Sequence, residues 1–251
     1  MYGLYGYFIL VLFFIAMIII AVVLRNHLND KDYRTRYVPL MVIAFLIVAL
    51  DVSKQIGGLV VGYQKRMIPL YFCSLFNVLF PLAAFSKGRL KQVTQVMSSV
   101  FAFMVMVGMY IAPRMMIGDS AYGLFKSFAN FHTFIFHHLV ALYALLSISL
   151  QLVDLEPKEN VIELLLGALG YNIIGGTSAI LIQVNFHNFY PLTDGFFKNL
   201  RLKMGDVPYV LFWGFMFLLT IVPGYYLFTL VYDTVGSRPV QEEELELATL
   251  K

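Results

Sequence analysis

"MYGLYGYFILVLFFIAMIIIAVVL" (residues 1–24) decides the fold. It contains no Lys, Arg, Asp or Glu, and the first charge comes only at Arg25. A helix needs roughly 20 mostly apolar residues to cross the hydrocarbon core of a bilayer. This stretch is long enough and apolar all round. A secretory signal would carry its positive charge before the apolar run and small residues at a cleavage point. Here the charge follows the run, at Arg25, Lys31, Arg34 and Arg36. The expectation is an uncleaved first helix with its N-terminus outside.

Similar runs recur along all 251 residues. The chain is 60% hydrophobic and 13% charged, whereas soluble domains run near half apolar and a quarter charged. One soluble core of this size could not hide that much apolar surface. Seven spans are predicted, at about 4–24, 38–62, 68–86, 94–113, 128–153, 161–183 and 207–232, with a polar acidic tail over 236–251. The expected fold is all-α: one polytopic membrane helical bundle of about seven transmembrane helices, a single domain over 1–251.

Connections are short, and no internal repeat interrupts them. With the N-terminus outside, seven spans put the C-terminus in the cytoplasm of a multi-pass cell-membrane protein. The first and third loops, with four and three basic residues, then obey the positive-inside rule. "FFKNLRLK" (196–203), with three, would oppose it. The net charge of +3 and the lack of a long basic block give nucleic acid no footprint. One cysteine excludes an internal disulfide or a Cys-rich metal site. The expected partners are membrane phospholipids, and neither a metal nor a cofactor is expected.

Polar residues inside apolar spans are costly and usually face the bundle interior. In the second span Asp51, Lys54 and Gln55 share one helix face. They read as a neutralised pair near a membrane surface or as a charged lining. In the third, "IPLYFCSLFNVLFPLA" (68–83) holds Cys73, the chain's one cysteine, with Asn77 a turn below it and Lys65 and Arg66 upstream. Pro69 suits a first helical turn. A helix N-terminus and nearby cations lower a thiol pKa, and apolar burial raises it. Cys73 therefore reads either as a small packing residue or as a nucleophile.

The fifth span, "KSFANFHTFIFHHLVALYALL" (126–146), holds three of the five histidines. Ser127, Asn130, Thr133 and His137 form one polar stripe at helical spacing. His138 shares its face with Phe131, Phe134 and Leu142, and His132 has Phe128 and Phe136 as neighbours. Each histidine reads as packing or as chemistry, and His137 is best placed for chemistry, with His138 second. The His-x4-His-His spacing is not a standard metal-ligand pattern. In the sixth span Ala168, Asn172, Gly175, Gly176, Ala179 and Gln183 make a small-residue seam suited to close helix contact. It could also wall a headgroup pocket. "VNFHNFYPL" (184–192), with Asn185, His187, Asn188, Phe189 and Tyr190, suits the membrane interface or a phospholipid headgroup.

"PLYFCSL" (Pro69 to Leu75), "FIFHHLVAL" (Phe134 to Leu142) and "VNF" (Val184 to Phe186) occur in that order. In order and spacing they resemble the YwaF-type bacterial integral membrane protein family, related to eukaryotic transmembrane ether-phospholipid acyltransferases. The likeness covers the chain from the third span through the seventh. It implies Cys73 as acyl acceptor and His137 or His138 as base.

The leading expectation is a membrane-embedded phospholipid acyltransferase or acyl-hydrolase. Cys73 would attack an ester carbonyl and a histidine would move the proton. Asn77 or Asn130 would donate to the oxyanion, and Lys54 or Arg66 would hold phosphate. Asn172 and Asn185 are further candidates for substrate contact. The alternative is a non-enzymatic small transporter or lipid-binding membrane protein, lined by Asp51, Lys54 and the seam of the sixth span.

Overall fold

The computed structural model describes residues 4–191 and 195–249, with side chains described up to Gly236 except for Leu4, Val61 and Arg66. Among the described residues there is no strand. The helices are α1 (Leu4–Leu28), α2 (Tyr33–Val61), α3 (Phe76–Phe85), α4 (Gly88–Ile111), α5 (Pro113–Ile117), α6 (Phe128–Ser149), α7 (Pro157–Ile182), α8 (Phe196–Met204) and α9 (Asp206–Thr249). Six helical stretches among the described residues are long and apolar enough to cross a membrane: Tyr5–Leu28, Tyr33–Val60, Gly88–Ile111, Phe128–Ser149, Pro157–Ile182 and Asp206–Gly236. The protein is an all-α polytopic membrane protein.

The third predicted span differs. Its helical part runs only from Phe72 to Phe85, about 21 Å at 1.5 Å per residue against a hydrocarbon core of about 30 Å. Ile68 precedes Pro69, and a residue in that position is pushed out of the α region. Ile68 sits at φ −56°, ψ 129° and Tyr71 at φ −68°, ψ 150°. Pro69 therefore lies ahead of the helix rather than in its first turn. A 3-10 turn over Phe72–Leu75 opens the helix and carries Cys73. The fifth span also stops earlier than expected, at Ser149, and Gln151 turns the chain at φ 50°.

The chain divides into two compact units. Unit 1 comprises Met1–Ile43, Ser98–Leu155 and Gly224–Lys251. There α1 packs on α6, with the Phe13 ring edge-on to Phe134 at 4.8 Å. Ser99 donates to Ser147 at 3.0 Å, joining α4 to α6. The stretch after α6 is fastened to α9. Tyr232 Oη donates to the Val153 carbonyl at 2.7 Å and accepts from the Val153 N–H at 3.1 Å. This satisfies backbone groups that a buried turn would otherwise orphan.

Unit 2 comprises Ala44–Met97 and Glu156–Pro223. Arg89, at the start of α4, reaches three carboxylates at the start of α7: Glu156 at 3.6 Å, Glu159 at 2.6 Å and Glu163 at 2.5 Å. The α7 seam is buried at Ala168, Asn172, Gly175, Gly176 and Ala179. A Cβ on Gly176 would stand 2.5 Å from the Val210 side chain, so the missing side chain lets α9 approach α7. Asn172 Nδ2 donates to the Gly214 carbonyl across that contact at 3.1 Å.

Candidate functional site

Cys73 is half-buried in the opening turn of its helix, with Tyr71 as the preceding cap residue. Phe72, Phe76 and Phe80 lie on the helix's core side, with ring centroids 6.3 and 4.9 Å apart in succession. Asn77 follows Cys73 by one turn. Its Nδ2 and Oδ1 are both buried without a hydrogen-bond partner. Buried polar atoms are nearly always paired, so an amide left open asks for an explanation.

An aromatic cluster surrounds this turn within unit 2. Phe72 packs on Tyr171 at 5.3 Å, on Phe217 at 5.0 Å and on His187 at 5.4 Å. Tyr171 donates its hydroxyl to the Leu70 carbonyl at 3.1 Å. His187 completes the cluster, 4.8 Å from Phe217 and 5.9 Å from Tyr171.

The loop that carries His187 is strained and braced. His187 and Asn188 are consecutive non-glycine residues with positive φ, at 49° and 61°. The left-handed region costs an L-residue about 1–2 kcal/mol. Trp213 Nε1 donates to the His187 carbonyl at 2.7 Å, and Tyr209 Oη donates to the Asn188 carbonyl at 3.1 Å. Asn185 Oδ1 accepts from the Tyr190 N–H at 3.2 Å. Asn185 thus closes the loop, and two α9 side chains hold it in its costly shape.

Burial pushes the His187 imidazole down to about 4, because taking a cation out of water is unfavourable. The ring is neutral at pH 7. Its folded pKa lies below the unfolded value of about 6.5, so the unfolded chain takes up the proton first as pH falls. The stability from neutral His187 is present above about pH 6.5 and is lost as pH falls toward 4. At about 1.4 kcal/mol per unit, roughly 3 kcal/mol is lost. Melting of the detergent-solubilised protein between those pH values should therefore fall more steeply in wild type than in His187→Phe. Equal slopes would count against a ring held neutral by its surroundings.

The remaining candidates fall into the two units. Unit 2 holds Cys73, Asn77, Lys54, Arg66, Asn172 and Asn185. Lys54 Nζ stands 4.0 Å from Asp51 Oδ1, with a quarter of its side chain exposed. The Arg66 side chain lies outside the described residues. Asn172 is buried and its Oδ1 has no partner. It lines an open groove of about 450 Å³ between α7 and α9, walled by Leu169, Ile173, Leu211 and Phe215.

Unit 1 holds His137, His138 and Asn130. Ser127 caps α6 by accepting from the Asn130 N–H at 3.2 Å. Both histidines are buried. His137 Nδ1 lies 2.7 Å from the Thr133 carbonyl, and His138 Nδ1 lies 2.7 Å from the Phe134 carbonyl. A carbonyl only accepts, so each Nδ1 carries the proton and each Nε2 keeps the basic lone pair. His138 stacks on Phe134 at 4.0 Å, in the apolar setting expected for it.

Residues 1–232 match the TMEM164 family. The chain belongs to the TMEM164 family. No curated protein and no solved structure matches it. As a TMEM164 family member it is a multi-pass membrane protein, in keeping with its apolar helices.

Proposed function

We propose that this TMEM164 family protein is a membrane-embedded phospholipid acyltransferase or acyl-hydrolase with Cys73 as the acyl acceptor. The observation that carries the reading is the thiol in a helix-opening turn, with the buried, unpartnered Asn77 amide one turn on. An amide N–H with no partner in the resting protein is free to meet an oxyanion formed at that thiol. The order of the cysteine, histidine and asparagine motifs supports the same reading.

In this reading Cys73 Sγ attacks an ester carbonyl of a phospholipid acyl chain and an imidazole takes its proton. Collapse of the tetrahedral adduct leaves a thioester, which a lysolipid hydroxyl or water then cleaves. His137 and His138, with Nε2 as their basic nitrogen, are the histidines that the motif likeness proposes for the proton transfer. Asn130 is the second proposed oxyanion donor. Lys54 and Arg66 are proposed to hold phosphate, and Asn185 to contact the headgroup. The groove beside Asn172 has the size and apolar lining of a small-ligand site and is proposed to hold an acyl chain.

The basic first and third loops support a cell-membrane orientation with the N-terminus outside and the C-terminus in the cytoplasm. Reporters fused to each end would oppose it if both ends read on one side.

The direct test is intact-protein mass spectrometry after incubation with phosphatidylcholine vesicles. An added acyl mass on wild type, released by hydroxylamine and missing from Cys73→Ala, is expected. Unchanged protein mass together with unchanged lipid composition would overturn the reading.

A further inference from the structure

We propose that the imidazole serving Cys73 is His187, in the loop between α7 and α8 and in the same unit as the thiol. This rests on the acyl-transfer reading of Cys73 and names the base within it.

Three observations converge on His187. Its ring packs at 5.4 Å on Phe72, the residue next to Cys73. Its ring also packs at 5.9 Å on Tyr171, whose phenol holds the Leu70 carbonyl three residues before Cys73. And its backbone is held at positive φ by donors from α9 on two successive carbonyls. Such strain persists where the surroundings over-determine it, which is common at functional sites.

The Cys73 Sγ–H proton passes to the neutral ring of His187 as Sγ bonds to the ester carbonyl carbon. The C=O π pair moves to oxygen. Collapse breaks the ester C–O bond, and the departing glycerol oxygen takes the proton from the His187 imidazolium. A thioester and a lysolipid remain. An acceptor hydroxyl then gives its proton to His187 and attacks the thioester carbon. The Cys73 sulfur leaves and takes the proton back. Phe72, Tyr171, Phe189 and Phe217 pack around the ring and limit the access of water to it between the two halves.

The test uses full-length protein in nanodiscs, phosphatidylcholine as acyl donor, and the rate of hydroxylamine-sensitive acylation. His187→Phe fills the same space without a nitrogen, and His187→Gln keeps a polar group without the base. Both should acylate about 10²-fold or more slowly while N-ethylmaleimide still labels Cys73. His27→Gln, at an exposed position with no role in the reaction, should lose less than threefold, and His137→Gln and His138→Gln are measured beside it. In wild type the acylation rate should rise with pH to a plateau below pH 7.

A rate that instead climbs tenfold per pH unit up to the thiol range would overturn the assignment without any variant. So would wild-type acylation rates in both His187 variants, or a hundredfold loss in the His137 or His138 variant with His187→Gln unaffected. None of these results touches the Cys73 reading. Acylation that persists in Cys73→Ala, or wild type that neither gains acyl mass nor changes lipid composition, would remove that reading, and the assignment of His187 with it.

Discussion

Cys73→Ala is expected to abolish phospholipid acyl transfer, by on the order of 10³-fold or more, while leaving the protein folded. A nucleophile and its base act as a unit, so removing the nucleophile removes the covalent route and leaves only what binding can supply. The substitution deletes one sulfur from a half-buried position, so little packing is lost with it. Cys73→Ser should be nearly as inactive, because a serine hydroxyl is a far weaker nucleophile than a thiol with the same base. Turnover of a fluorescent phosphatidylcholine by purified protein measures both. A transporter or lipid-binding protein would tolerate either change. Activity within twofold of wild type in Cys73→Ala would make the thiol a small apolar filler and leave the enzyme reading without a centre. Unchanged melting of the variant makes the loss chemical rather than structural.

Much of the fold was legible because a bilayer demands long uninterrupted apolar runs, and such runs need no tertiary information to be seen. The first span was expected over 4–24 and forms α1 from Leu4 to Leu28. The failure at the third span has a local cause. An apolar run looks the same whether its backbone is helical or extended. Residues 68–71 are as apolar as those after them, yet the Ile68–Pro69 step keeps the chain extended until Phe72. This shifts Cys73 from a second turn to the opening one.

The candidate site was legible as a list of residues and not as an arrangement. Cys73 and Asn77 could be paired because helical spacing relates them. His137 and His138 drew attention for the same reason, since a helix assigns every side chain a face. "VNFHNFY" has no period to read, so His187 could be seen only as one aromatic-rich loop residue among several. Its placement depends on Trp213 and Tyr209, over twenty residues further on. The one available signal was the adjacent asparagine and aromatic residues, which tolerate positive φ and supply rings for a cage.

Phe76→Ala tests how the thiol is held, and its expected cost differs from the value familiar in soluble proteins. Phe76 is fully buried, packed at 4.9 Å against Phe80, which is also fully buried. In water, truncating such a residue costs about 3–5 kcal/mol, part of it from exposing apolar surface in the unfolded chain. In a bilayer the unfolded helix is solvated by lipid tails as apolar as the ring, so that transfer part drops out. What remains is the cavity. A loss of ~100 Å³ at ~24 cal/mol per Å³ gives about 2.4 kcal/mol. Phe85, at the other end of α3, is 64% exposed, and Phe85→Ala should change stability by less than about 0.5 kcal/mol. Denaturant unfolding in lipid nanodiscs compares the two. Because Phe76 supports Phe72, and Phe72 touches His187, Tyr171 and Phe217, Phe76→Ala should also slow Cys73 acylation at temperatures where the protein is still folded. Equal stability in the two variants would mean that α3 is held by something other than its phenylalanine row. A full loss of stability with unaltered acylation below the transition would separate the packing of α3 from the alignment of the thiol.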